Sequence, residues 1–354
     1  MSDISQSSNL YEIKQLEPNG LTAVDLFCGA GIGAYGIKHA GYNILWGVDN
    51  DKDAIKTYNI NIGNHAICED IRKIKVEDIP KHDLMIATPV CKPFSVCGAR
   101  RLTDDEKYGD LLAETIRLFS GCKPKALFFE NVAGIAMGDS LVVFEEFLAQ
   151  IESYEYHVYW SITNSWHLGV PQERERVYMV AIRDDIPNEF IFPKELLFGK
   201  KSQKDAFYDL RDKTIADIKN HNVEKMNEKM FSSFSANFRQ SSWDEPAKTV
   251  LSSIQSALLY PEPYLDSVDY KEMHARRGDE NFPRRLSVRE HLRLQTVGDD
   301  FYFPDDISLK EQYNRCSGVP SLVAYKYGMA IADCLLERTA TRKKTIKANS
   351  LSLF

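Results

Sequence analysis

The chain has little of what organises many small or exported proteins. Its seven cysteines form no Cys-x-x-Cys pair and its eight histidines do not cluster. That excludes a disulfide or zinc framework and predicts no metal site. No apolar run approaches the roughly 20 residues needed to span a membrane. The opening MSDISQSSNL lacks the basic and apolar regions of a signal peptide, so the expected location is cytoplasmic. An odd cysteine count in a reducing compartment directs attention to a single nucleophilic thiol. Excess positive charge is also missing: the net charge is −7 and the isoelectric point near 5.7. Any nucleic-acid contact must therefore come from a local basic face, and residues 271–295 offer one in Lys271, Arg276, Arg277, Arg284, Arg285, Arg289 and Arg293. There are no internal repeats.

What the sequence does contain begins at residues 23–49, AVDLFCGAGIGAYGIKHAGYNILWGVD. Val24, Leu26 and Phe27 predict a short buried strand. Gly29, Gly31 and Gly33 predict a sharp turn that a ligand can approach closely. Ile37 and Ala40 continue as a helix face, Gly41 ends it, and Ile44–Val48 returns as a parallel strand. Asp49 then stands about 20 residues past the glycines, where dinucleotide folds hold ribose hydroxyls. These features define a nucleoside-cofactor site. A pyrophosphate binder presents G-x-G-x-x-G directly after the strand. Here Asp25-Leu26-Phe27-Cys28-Gly29-Ala30-Gly31 puts an acid and an aromatic before the glycines. That suits a cationic cofactor, because Phe27 can lie against a sulfonium. On this stretch alone a methyltransferase and other nucleotide folds both stay open.

Further along, the pattern predicts a helix over 51–59, a short strand over 65–71 and a buried strand over 84–87. A helix over 104–119, a strand over 126–129 and a helix over 141–153 follow. Residues 158–164 and 177–182 read as a closing antiparallel pair around the loop 167–176. Alternation at this spacing means a parallel α/β sheet. After Pro193 the periodicity fails, and 200–242 reads as a small irregular domain. A capping box, Ser287 with Glu290, opens a helix over 287–295, and a last helix covers 320–337.

Chemistry concentrates at strand ends. Cys91, in Pro89-Val90-Cys91-Lys92-Pro93-Phe94-Ser95, lies just past a parallel strand, where active sites of such sheets form. A neighbouring base and loop amides favour its thiolate. Glu130 ends the next strand, followed by Asn131-Val132. In Gln172-Glu173-Arg174-Glu175-Arg176, alternation puts Arg174 and Arg176 on one side if the strand begins early.

In this order the motifs resemble the cytosine-C5 DNA methyltransferases of bacterial restriction–modification systems. The resemblance rests on DLFCGAG, Pro-x-Cys-x-x-Phe-Ser, ENV, QERER, SSWDEPAKTVLSS, RRLSVREHLRLQTVGDDFYF and CSGVPSLVAYKYGMAIA, and spans residues 21–337. It implies a class I, Rossmann-like S-adenosylmethionine-dependent catalytic domain of α/β class with a small irregular target-recognition domain. The implied division is a disordered 1–18, catalytic segments 19–193 and 285–338, target recognition over 194–284, and a basic tail over 339–354. It implies that Cys91 adds to cytosine C6, that Glu130 holds the base edge, and that Arg174 and Arg176 position both. S-adenosylmethionine would meet Phe27, Cys28, Gly29, Ala30, Gly31, Asp49, Asn50, Asp70, Ile71, Pro89, Leu111 and Ser317, with no metal. The substrate is double-stranded DNA with the base flipped out. The chain would act as a monomer, beside a cognate restriction endonuclease in the same system.

Several positions depart from the family pattern. Val90 and Lys92 flank Cys91, Tyr108 replaces an arginine, and Cys316-Ser317 replaces Gly-Asn. A divergent methyltransferase, an enzyme using an altered sulfonium cofactor reached by Lys92, Arg315 and Ser317, a weakly active or inactive DNA-binding relative, and a tRNA cytosine methyltransferase all stay open on the sequence.

Overall fold

The computed structural model describes residues 13–90, 109–223, 239–264 and 283–341. Cys91, Lys92, Tyr108, Lys271, Arg276 and Arg277 lie outside them. Short apolar runs punctuated by glycines and acids become one sheet of seven strands, ordered β3-β2-β1-β4-β5-β7-β6. β1 (Thr22–Leu26), β2 (Asn43–Asp49), β3 (Ala66–Cys68), β4 (Leu84–Ala87) and β5 (Ala126–Val132) are parallel. β6 (Tyr156–Asn164) and β7 (Glu175–Arg183) pair antiparallel, with β7 inserted beside β5. The chain proceeds outward from β1 through β2 and β3, then restarts on the other side with β4. That reversal opens a crevice at the carboxyl ends of β1 and β4, the place where open α/β sheets bind ligands.

Strand alternation divides the core between the two sheet faces. Val24, Leu26, Met85, Leu127 and Phe129 pack with α3 (Gly109–Cys122) and α4 (Leu141–Ser153) through Leu112, Phe119, Phe144 and Phe147. Ala23, Ile86 and Phe128 pack with α1 (Ile32–His39), α2 (Lys52–Asn61) and the final helix on the opposite face. Burying a side chain of this size is worth about 1.5–3 kcal/mol, so both layers are strongly held. The described helices include none long and apolar enough to cross a membrane.

The glycine run does two jobs. Phe27 leaves the strand in the left-handed region (φ 59°), with Gly29 and Gly31 also at positive φ; the expectation that Phe27 continues β1 is corrected by this turn. Gly31, Gly33 and Gly36 carry dinucleotide spacing, but Gly33 and Gly36 lie inside α1. A Cβ on Gly36 would sit 2.0 Å from the carbonyl oxygen of Ser321. Gly36 therefore exists for close helix contact rather than for a phosphate.

Three other expectations change. β3 is only Ala66–Cys68, because Asp70 caps a 3₁₀ turn over Ile71–Lys73 by accepting from the Arg72 amide at 3.0 Å. Residues 13–18, expected to be disordered, are laid along α1: Ile13 is buried and the Leu16 amide donates to the His39 carbonyl. Within 200–242 the described part supplies α5 (Gln203–Phe207), and Ala206, Phe207 and Leu210 join the α1-side core.

Among the described residues the remaining α-helices are α6 (Val288–Leu294), α7 (Leu309–Asn314) and α8 (Ser321–Leu335). α6 opens with the capping box expected, Ser287 accepting from the Glu290 amide and Glu290 from that of Ser287. It is buried all round. His291 donates from Nδ1 to the Ser287 carbonyl and accepts at Nε2 from the Leu258 amide, and burial holds its pKa down to about 4. The unfolded chain therefore binds the proton more readily between pH 6.5 and 4. Stability should be full above that window and fall as pH drops through it, by about 3 kcal/mol from this residue. Urea titrations across pH 4–7 should show the loss in wild type and a shallower pH dependence in His291→Gln.

Candidate active site

The crevice is a cleft of about 480 Å³. Its floor is the sheet face at Asp25, Ile86 and Phe128. Its near wall is the glycine turn with Ile32 and Gly33, and its far wall is Ser317-Gly318-Val319 and Leu251-Ser252. Thr88, Pro89 and Val90 line the edge leading to Cys91, and Glu130, Arg174 and Arg176 close the other end.

Phe27, Cys28, Gly29, Ala30, Pro89 and Ser317 therefore lie on one cleft with Glu130, Arg174 and Arg176. Asp49 is not among the lining residues but is tied to the turn, one carboxylate oxygen accepting from the Gly29 amide at 3.0 Å and the other from the Asp51 amide at 3.0 Å. Burial raises its pKa. An added Cβ at Gly29 would meet nothing within 4 Å, so the turn leaves open room there. An open glycine turn, a projecting aromatic, an acid at the end of β2 and an apolar floor suit an adenosyl sulfonium without phosphates. Gly31, Asn50, Asp70, Ile71 and Leu111 are not among the lining residues. Gly31 backs onto Tyr58 and Ile62, and Leu111 and Ile71 are buried in the α3-side core.

At the other end, β5 and β7 put Val132 opposite Arg176 and Glu130 opposite Tyr178. Alternation aims Glu130 and Arg176 at the α1 face, and Arg174 arrives from just before β7. Glu130 Oε1 accepts from Arg174 at 3.2 Å and lies 3.3 Å from Arg176 Nε. All three side chains are at least five-sixths buried. Burial, with Arg174 adding to it, lowers the Arg176 pKa to about 10, which still leaves it charged near neutrality. The cluster thus carries one positive charge in excess beside a carboxylate, a setting for holding a polar ring edge on which negative charge grows. Asn131 donates to the Pro89 carbonyl at 3.3 Å, tying this strand end to the segment before Cys91. Among the described cysteines, burial pushes the thiol pKa of Cys28 and Cys316 well up and that of Cys122 to about 11, so none of these is an activated nucleophile.

The departures near Ser317 also receive a local account. Ser317 Oγ donates to the Val250 carbonyl at 3.1 Å. Arg315 does not line the cleft: it pairs with Asp51 at 2.6 Å and also meets Asp53 and Glu311. It is not a free cation for an anionic cofactor.

Two groups carry more than the sequence disclosed. Gln172 is fully buried; it donates to the Leu294 carbonyl and the Gln295 side chain and accepts from the Val250 amide. Gln295 in turn donates to the Cys316 carbonyl. Both residues stand in quoted motifs, but no spacing rule links them. Asp25 lines the floor, and the acid before the glycines was its only signal.

The basic helix face is a correction. Arg284 is forked onto Glu290 at 2.8 and 2.9 Å and lies over Tyr260, while Arg285 donates to the Ile254 carbonyl. Arg289 donates to the carbonyls of Lys219, Gly298 and Phe301, and Arg293 to Ala206, Asp209 and Asp299. These arginines are internal struts because each buried guanidinium finds fixed carbonyls and carboxylates.

The fold and cleft define a class I methyltransferase-like architecture, and comparison with known proteins identifies the family. The model for C-5 cytosine-specific DNA methylase matches residues 21–333. Type II methyltransferase M.FnuDI of Fusobacterium nucleatum is 32% identical over 91% of this chain and 97% of its own length. Type II methyltransferase M.NgoPII of Neisseria gonorrhoeae is 31% identical over 90% and 97%. The solved S. pombe Dnmt2 methyltransferase superposes with a TM-score of 0.63 at 17% identity, covering 90% of this chain and 99% of that one. The chain belongs to the C-5 cytosine-specific DNA methylases, enzymes that act on DNA and use S-adenosylmethionine.

Arg289→Ala should lower stability by about 3–5 kcal/mol, since it leaves buried acceptors without their charged donor. It should not alter the salt slope of DNA binding in protein that still folds. Urea denaturation and binding titrations at several salt concentrations check both; a slope reduced by about 1 would restore a phosphate-contact role.

Proposed function

We propose that this enzyme methylates C5 of a cytosine flipped out of double-stranded DNA at a specific site, with Cys91 as nucleophile. The observation that carries the reading is the Glu130–Arg174–Arg176 cluster. It closes the same cleft that the glycine turn opens, beside the segment running into Cys91. S-adenosylmethionine bound along Phe27, Gly29 and Asp49 supplies an electrophilic methyl group.

Cytosine C5 is a weak nucleophile. Addition of the Cys91 thiolate to C6 forms a C–S bond and makes C5 enamine-like. Glu130 engages the N3 and exocyclic amine edge, and Arg174 and Arg176 hold Glu130 and oppose the negative charge that develops on the ring. After methylation, loss of the C5 proton and departure of the Cys91 sulfur restore the aromatic ring. The atoms to be attacked are inaccessible in stacked DNA, which is why the base must leave the helix. Target recognition is assigned to residues 194–284 and the restriction–modification setting implies a cognate endonuclease, with the methyltransferase itself acting as a monomer.

DNA carrying 5-fluorocytosine at the target tests the assignment, because fluorine at C5 cannot leave as a proton does. Wild type should form an adduct stable to denaturing gels, and Cys91→Ser should not, while Cys97→Ser should retain it. An adduct that persists in Cys91→Ser sinks the nucleophile. Bisulfite sequencing of plasmid DNA after expression supplies the target sequence for this assay.

A further inference from the structure

We propose that the outer half of β6 and the start of α4 form a docking surface for a partner polypeptide that presents an apolar anchor between lysines or arginines. Its four apolar residues, Met137, Val142, Trp160 and Ile162, do not line the cleft, so the surface is separate from the methyl-transfer site.

β6 is the last strand of the sheet on its side, and alternation puts Tyr156, Val158, Trp160 and Ile162 on the α4 face. The cover over that face runs out along the strand. Tyr156 is buried with its ring 4.5 Å from that of Phe119, and Val158 is half-buried against the same core. Trp160 meets only the edge of Phe144, at 5.3 Å, and the 3₁₀ turn Ala133–Ala136 ahead of α4 packs on β7. Trp160 and Ile162 are therefore left 41% and 39% exposed. At the entrance to α4, Met137 and Val142 are 50% and 59% exposed, and Val142 precedes Phe144 by two residues. Single exposed apolar residues are ordinary, but four large ones at one corner mark a contact surface.

The charge around this corner has one sign. Residues 133–164 contain five acids and no lysine or arginine. Asp139, Glu145 and Glu146 are exposed beside the apolar residues, and Glu175, opposite Asn164 on β7, shares the α4 face with Val177. Among the described residues none of these four carboxylates forms an ion pair. Exposed acids elsewhere do: Glu69 has Lys73, Glu173 has Lys248 and Asp185 has Arg183. An unpaired acidic rim repels DNA phosphates. It also disfavours a second copy, since a two-fold axis through this corner would set acid against acid. The complementary partner places an aliphatic or aromatic side chain between Trp160 and Val142 and carries cations that meet the rim.

Fluorescence anisotropy of the full chain with three labelled peptides, KKLFVLKK, EELFVLEE and KKSGSGKK, tests this. Wild type should bind KKLFVLKK at least about tenfold more tightly than either of the others, the first comparison reading the rim and the second the apolar corner. Trp160→Ser should weaken KKLFVLKK about tenfold. Glu145→Lys combined with Glu146→Lys should abolish the preference for lysine over glutamate flanks. Both of those side chains are exposed, so this variant decides the matter should Trp160→Ser not fold. Wild type that does not discriminate among the peptides, or folded variants that bind them as wild type does, overturns the proposal. Dimerisation in sedimentation velocity that Trp160→Ser abolishes would assign the corner to a second copy and also overturn it, as would weaker DNA binding by that variant. Reversing the charges of Arg342, Lys343 and Lys344 to glutamate should leave the affinity for KKLFVLKK unchanged. A gain of about tenfold there would give the surface to residues 342–354 of this chain instead.

Discussion

The cleft depends on one buried amide. Gln172 reaches the Val250 amide, the Leu294 carbonyl and the Gln295 side chain, and Gln295 passes the connection to the Cys316 carbonyl. The segments they join are far apart in the chain, and each carries part of the site: Arg174 follows Gln172, Leu251-Ser252 follows Val250, and Ser317 follows Cys316. A side-chain amide with all its partners satisfied in a dry interior fixes position more tightly than apolar contact, because any slip leaves a donor or acceptor unpaired. The sheet supplies the floor, but these two glutamines hold the far wall at its working distance from it.

Much of the fold was legible because its signals are local. The run from β1 to β2, the buried strand 84–87, the helix 141–153 and the Ser287–Glu290 capping box each depend on neighbours a few residues away. The family was legible because an ordered set of motifs pointed to it. What the sequence concealed was long-range. Nothing in the spacing of residues 284–293 distinguishes an arginine on a DNA-facing surface from one whose guanidinium is packed against carbonyls from elsewhere in the chain. Phe27 reads as strand by hydrophobicity, yet the turn after Leu26 rotates it toward the cleft. Ile13 sits in a polar N-terminal stretch, and only the exposed edge of α1 explains why it is buried.

The electrostatics also acquire a different shape from the one composition suggests. The positive charge of Arg284, Arg285, Arg289 and Arg293 is turned into the protein, where it ties loops to α6. At the cleft the charges are divided by position, with acids toward the glycine turn and an excess of guanidinium toward Glu130. Acidic and guanidinium groups thus stand at opposite ends of one crevice rather than pairing across it.

The close contact of Gly36 with α8 bears on how the enzyme comes into being. The first and last of the described α-helices meet there, and Ser321 Oγ donates to the Ile32 carbonyl across a separation of 289 residues. Synthesis delivers α1 early and α8 late. Until that C-terminal segment is made, α1 and α2 cover this face of the sheet without α8, and the cleft lacks its Val319 wall. The far wall is thus the part of the cleft that synthesis supplies last, long after the glycine turn and Glu130.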